Sequence, residues 1–317
     1  MITNKRNIRR KSKFLSEEGT FENVYEKVLS SDEYETPKEE FQICRYCGES
    51  SPLKFKTKAH FIPEFTGNKN LFNFNECDDC NNKFSTYENS LKNFGVLNVF
   101  LPIKGKKKFP VHRDNKNKTS TKFTDSKTLI TTINSDDAFD LDGDKIKLKV
   151  SSTSFIPIYV QKALTKLAIS MMPKEDLIYF KTLISWLLDK NAFTDNKIEM
   201  IALYTTDTKT KNLKPKAYLF KRLKNYSCPQ YSLIFLWGYY KIQIFIPCNP
   251  FDLYLERLQK IKLPVSKLIK DVGIDSPKLQ NINLNITKKG IISTATNHNF
   301  ANPESLKILK DKLDLEK

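Results

Sequence analysis

Three pieces of residues 44–88 decide how this chain reads: C-R-Y-C-G at 44–48, K-A-H-F-I-P-E-F-T-G-N-K-N-L at 58–71, and E-C-D-D-C-N-N-K-F-S-T-Y-E at 76–88. They hold four of the six cysteines, Cys44, Cys47, Cys77 and Cys80, as two C-x-x-C pairs, with His60, one of three histidines, between them. Both sulfurs of a C-x-x-C turn reach one ion, and two such turns complete a tetrahedral four-thiolate zinc site with zinc–sulfur distances of about 2.3 Å. Such a site has no open coordination position. Its zinc is expected to hold structure, and chemistry has to come from the residues between and just after the pairs.

Those residues are His60, Phe61-Ile62-Pro63 and Asn81-Asn82. Here the chain resembles the HNH endonucleases, in the zinc-knuckle variant with asparagine in the last position. The resemblance covers residues 41–95 and implies a ββα-metal, treble-clef-like module. It implies that His60 is the general base, that Asn81 ligates a catalytic Mg²⁺ or Mn²⁺, and that Asn73 braces the histidine, with Asn75 and Asn70 as alternatives. Many members carry Asp or Glu just before the histidine; this chain has Ala59. A hard cation wants carboxylate oxygen. Glu88, two helical turns after Asn81 and on its face, and Glu64 are the acids that can compensate.

The surroundings suit a polyanionic partner. A length of 317 residues allows two domains, and a formal charge of +17 draws phosphate-rich ligands. DNA ranks ahead of RNA. The competing reading is a lysine-rich, solvated surface. Residues 1–40 are read as a basic arm, with Lys5, Arg6, Arg9, Arg10, Lys11 and Lys13, followed by a short helix through Phe21, Val24, Tyr25 and Val28. The start has no apolar signal core, and no run of about 20 apolar residues follows. No membrane partner is expected and a cytoplasmic location is, where paired cysteines read as metal ligands instead of disulfides.

Within the module, strands are expected over 54–62 and 71–76 and a helix over 81–93, with Phe84, Tyr87 and Leu91 on its buried face. Asn81 in the first helical turn would also favour a phosphate. Residues 96–154 read as a basic linker and a β-hairpin. Nine Lys or Arg face two Asp over 101–127, a candidate phosphate-contacting strip. Asp142-Gly143 turns the hairpin; it is not a calcium loop, because Ala138 and Lys149 stand where Asp and Glu are needed. His112 and His298 read as surface and loop histidines, Cys228 and Cys248 as packed singletons.

Residues 155–262 read as an α+β accessory domain: helices over 156–172 and 175–188, strands over 200–205, 217–223, 232–237 and 241–247, the last two joined at Gly238, and a helix opening at Asn249-Pro250. Residues 263–317 form a polar tail with a helix over 303–313. The expected class is α+β, a zinc-stabilised HNH module followed by an antiparallel sheet with helices. The expected activity is metal-dependent hydrolysis of DNA phosphodiesters, and by analogy with modular HNH proteins of bacterial restriction and phage defence the rest recognises a target, senses a signal or drives homo-oligomerisation. The alternative is a non-catalytic zinc clamp that binds nucleic acid or a protein.

Overall fold

The strand over 231–238, Y-S-L-I-F-L-W-G, is apolar at nearly every position, as a strand covered on both faces should be. In the computed structural model, which describes residues 20–35, 42–105, 108–142, 145–189, 201–206, 211–223, 228–246, 252, 263–269, 280–283 and 293–299, it is a central strand of the main sheet. That antiparallel sheet has the order β1(Tyr25–Ser30), β8(Asn212–Arg222), β9(Tyr231–Gly238), β10(Tyr240–Ile246), β7(Ile201–Thr206), β11(Gln280–Asn283). Two three-stranded antiparallel sheets accompany it: β2(His112–Asp114), β3(Thr119–Phe123), β4(Leu129–Ile133), and β5(Phe139–Asp142), β6(Lys145–Ser151), β12(Ser293–Asn299). With the helices α1(Phe21–Val24), α2(Asp78–Phe94), α3(Pro157–Met171) and α4(Lys181–Leu188), the class is α+β. None of the helices among the described residues is long and apolar enough to cross a membrane.

The two faces of β9 go to different places. Leu233, Phe235 and Trp237 join a core that continues through α3 and α2 to the cysteines, whereas Ile234 and Leu236 pack with Phe21, Val24, Tyr25, Cys228 and Ile269 on the other side. Helix α3 is the middle layer. It is buried over almost its whole circumference, lysines included, and it touches α2 closely.

The knuckle is fastened to α3 by its own inner residues. Arg45 Nη1 donates to the carbonyls of Ile169 (2.6 Å) and Ser170 (2.5 Å), capping the end of α3. Tyr46 donates its hydroxyl to Lys166 O at 3.1 Å and lies 2.7 Å from Ser170 Oγ. The cysteine spacing thus leaves two side chains free to dock the loop on a helix some 120 residues later.

Three expectations are corrected. Residues 21–30 are not a helix beyond one turn, because β8 offers an open edge and the backbone groups of 25–30 pair with it from Tyr25↔Arg222 to Ser30↔Tyr218. The strands at 54–62 and 71–76 shrink to a single bridge, His60↔Phe72. There the Asp78 carboxylate takes the N–H groups of Lys56 (3.1 Å) and Thr57 (2.9 Å), which a ladder would otherwise use. The helix at 175–188 starts as 3₁₀ turns over Lys174–Phe180, pinned where Asp176 Oδ2 meets Lys221 Nζ at 2.7 Å, and becomes α-helical only at Lys181.

The stretch read as a polar tail also supplies β11 to the main sheet and β12, which holds His298, to β6, and the stretch read as a linker folds into β2–β4, because open strand edges there had backbone groups to pair. The other patterns hold. The hairpin pairs Asp142 with Lys145, and Leu148 and Val150 are buried with Phe139, Val96 and Phe100. The arm at 1–14, Gly143, Cys248, the helix at 250–262 apart from Asp252, and the helix at 303–313 lie outside the described residues.

Candidate functional site

The four cysteines converge as their spacing requires. All four sulfurs lie within 4.8 Å of one another, with Cys44 Sγ 3.7 Å from Cys80 Sγ and Cys47 Sγ 3.6 Å from Cys77 Sγ. These are not bonded sulfurs, whose separation is about 2.05 Å. A tetrahedron of sulfurs about 2.3 Å from a central ion has edges of about 3.8 Å, so the donor set fits zinc. Burial pushes the Cys77 thiol up, and the hydrogen bond that Cys44 shares with Cys80 holds the Cys44 thiol down. A divalent cation is the natural way to let four such sulfurs ionise together.

His60 stands in the one-bridge hairpin, its ring 5.0 Å from that of Phe72. Its Nε2 is 3.6 Å from Glu64 Oε2, and both side chains are about one-quarter exposed, at 23% and 27%. This imidazole is therefore reachable and has a carboxylate beside it. Glu64 also lies 3.8 Å from Lys69, whose Nζ donates to Gly105 O at 2.8 Å. The start of the basic strip is thereby tied to the histidine's loop, and its Lys104, Lys108, Arg113, Lys116, Lys118, Lys122 and Lys127 are exposed.

Beneath His60 lies a charged cluster that the sequence reading missed. Lys166 of α3, only 1% exposed, reaches Glu76 Oε2 at 3.1 Å, Glu88 Oε1 at 3.3 Å and the carbonyl of His60 at 3.1 Å. Burial works against its charge, yet Glu76 and Glu88 hold its pKa above the ordinary lysine value. Burial also pushes the Glu76 carboxyl up to about 7 in spite of that ammonium. Oε1 of Glu76 is buried with no hydrogen-bond partner. The one local signal for this cluster was a pair of lysines, Lys162 and Lys166, inside a helix apolar nearly all round.

Asn73 is buried, and its side chain turns to this cluster, donating to Glu76 Oε2 at 3.1 Å and Ser170 Oγ at 3.4 Å. Its backbone N–H donates to Ala59 O at 2.8 Å, so it braces the residue before His60 through the main chain. The loop itself is closed by Asn68. Its Nδ2 donates to Ile62 O (2.7 Å) and Leu71 O (2.9 Å), and its Oδ1 accepts from the N–H groups of Asn70 and Leu71. Asn75 Nδ2 instead donates to Ile43 O at 3.3 Å, at the knuckle.

Asn81 is the fourth residue of α2. Its N–H is spent on Cys77 O at 2.9 Å, and its Nδ2 donates to Thr57 Oγ1 at 3.5 Å. Phosphate at this helix start is disfavoured, since Asp78 and Asp79 occupy the first turn and repel it. Glu88 is on α2 as expected, held by Lys166. Among the described residues the four cysteines are the only cluster of three or more His, Cys, Asp or Glu close enough to hold an ion. A magnesium-type cation, which commonly takes one or two carboxylates plus water and phosphate, needs no larger protein cluster than Glu64 or Glu88 offers.

His112 is half-buried with Nε2 3.0 Å from Ser151 O, and Cys228 is a buried singleton. The side chain of His298 lies outside the description. No family model, no curated protein and no solved structure matches this chain.

Proposed function

We propose that the chain is a divalent-metal-dependent endonuclease that hydrolyses DNA phosphodiesters, with a structural zinc at Cys44, Cys47, Cys77 and Cys80. The observation that carries the reading is the partly exposed His60 with Glu64 at its Nε2 and Glu88 tied through Lys166 to its carbonyl, all on a loop and helix clamped by four thiols. His60 takes a proton from water; the water oxygen attacks phosphorus, the P–O3′ bond breaks, and the leaving 3′-oxygen takes a proton from solvent, giving a 5′-phosphate and a 3′-hydroxyl. Glu64 stabilises the imidazolium that forms. Glu88 and Asn81, or Glu64 in place of Glu88, would hold the divalent ion, which supplies positive charge where the leaving oxygen becomes negative. The exposed basic residues of the strip, tied to the histidine's loop where Lys69 meets Gly105, support DNA as the polyanion.

The second reading, a zinc clamp that binds without cutting, is favoured by Ala59, which removes one acid from the usual ligand set. Supercoiled plasmid incubated with the protein and Mn²⁺ or Mg²⁺ separates the two. Nicked or linear product that disappears in His60→Ala, with one zinc per chain retained, supports the nuclease. Salt-sensitive binding with no product from either protein in either metal supports the clamp.

A further inference from the structure

Against the 64–66 turn, a cavity of about 310 Å³ opens where the end of α2, strand β2 and the end of β9 meet. Its volume is at the lower end of ligand pockets, which run about 300–1,000 Å³. Its make-up is of two kinds. Phe65 and Trp237, in edge-to-face contact at 5.1 Å, with Val96 and Val99, give it apolar walls. Lys92 and Arg113 supply positive charge at its mouth, both exposed. No carboxylate lines it, and among the described residues neither cation has an acidic partner.

The indole of Trp237 is 3% exposed and its N–H is buried, so it shapes the wall without offering that donor to the cavity. His112 must donate from Nε2 to Ser151 O, since a carbonyl only accepts, which leaves Nδ1 as an acceptor. The back of the cavity is fixed. A side chain at Gly95 would place its Cβ 2.3 Å from Cη2 of Trp237, so glycine is what lets the helix end and the indole meet.

We infer that this cavity binds a nucleoside monophosphate unit, its planar base between the aromatic and aliphatic walls and its phosphate on Arg113 and Lys92. Aromatic walls accept a flat heterocycle, and the imidazole nitrogen of His112 answers its amino donors. A guanidinium and an ammonium without acids beside them answer a phosphate. The unit has two sources, a free mononucleotide or one nucleotide of a strand, and neither requires that the chain hydrolyse anything.

The test uses the full chain with Trp186→Phe, so that Trp237 is the one tryptophan, and follows its fluorescence with AMP, GMP, CMP and UMP and, separately, with a 5′-phosphorylated hexadeoxynucleotide. Calorimetry on the unsubstituted chain repeats the measurement without the variant. Saturable binding of at least one of these probes, weakened about tenfold or more in Arg113→Ala and in Lys92→Ala, is the expected result; binding of mononucleotides marks a free ligand and binding of the hexamer alone marks a strand. Adenosine should bind more weakly than AMP. If no probe binds at millimolar concentration by either method, or if both alanine variants bind as the unsubstituted chain does, the inference is wrong.

Discussion

Replacing Lys166 by Met keeps most of the stem volume and deletes the ammonium that three oxygens surround. Those oxygens belong to Glu76 at 3.1 Å, Glu88 at 3.3 Å and the His60 carbonyl at 3.1 Å, and the carboxylate of Glu76 is wholly buried. Breaking a buried pair on one side costs about 3–5 kcal/mol, because the charge left behind is uncompensated. Glu76 already has one oxygen without a partner, and for the other only the Asn73 amide at 3.1 Å would remain. The expected loss is therefore at most about 3–5 kcal/mol, reached above neutral pH, since the Glu76 carboxyl, already raised to about 7, takes up a proton more readily once the ammonium is gone. Adding Glu76→Leu removes the stranded charge and should return most of that loss, since apolar replacement of a buried pair is often neutral. Urea denaturation followed by tryptophan fluorescence, with zinc present, reads all four corners of the cycle. A loss under about 1 kcal/mol for Lys166→Met, or a double variant whose loss is the sum of the two single losses, would refute the account of how His60 and Glu88 are held. Lys166→Met should also slow any plasmid cleavage, because it frees the His60 carbonyl and Glu88 together.

Three further outcomes are expected. Chelation of zinc, or Cys80→Ser, should loosen α3 as well as the knuckle, because Arg45 and Tyr46 cap and dock that helix; hydrogen exchange of amides in 157–171 should rise when zinc is removed, and zinc should count as one per chain by elemental analysis. Gly238→Ala places a Cβ 2.0 Å from Asn98 Oδ1 in a residue at φ +59°, displacing the side chain that accepts from Tyr239 N; with about 1–2 kcal/mol for the left-handed backbone and about 1 for the lost bond, thermal denaturation should show a loss of about 2–3 kcal/mol. Burial lowers the Lys162 pKa to about 8. The folded state therefore binds fewer protons than the unfolded one, and stability contributed above the unfolded value of 10.5 is lost as pH falls through 8. Relative to Lys162→Met, the unsubstituted chain should lose about 2 kcal/mol between pH 9.5 and pH 7 in denaturation curves; parallel curves would show that the ammonium is not penalised.

Some of this was legible because it depends on neighbours in sequence. Two C-x-x-C turns bring their sulfurs together by covalent reach, and the i, i+3, i+7 repeat of Phe84, Tyr87 and Leu91 is a helix face whatever it packs on. Strand-like composition marked β7 to β10, and the apolar run 233–237 of β9 matches its burial on both faces.

The rest needed tertiary structure, since it rests on partners distant in sequence. Residues 21–30 had a helix's spacing and became mostly strand because β8, about 190 residues later, has backbone groups to share. Asn68 could not be told from Asn70, Asn73 or Asn75 by composition; which amide closes the loop depends on which carbonyls come within reach. Lys166 looks like a surface residue until α3 is seen covered on all sides, and Glu76 looks like a flank of a cysteine until that lysine arrives. Local spacing determined which side chains could form a metal clamp and a helix face. Burial decided which charges must pair, because an ion out of water is stable only beside its opposite, and that opposite is found in space and not along the chain.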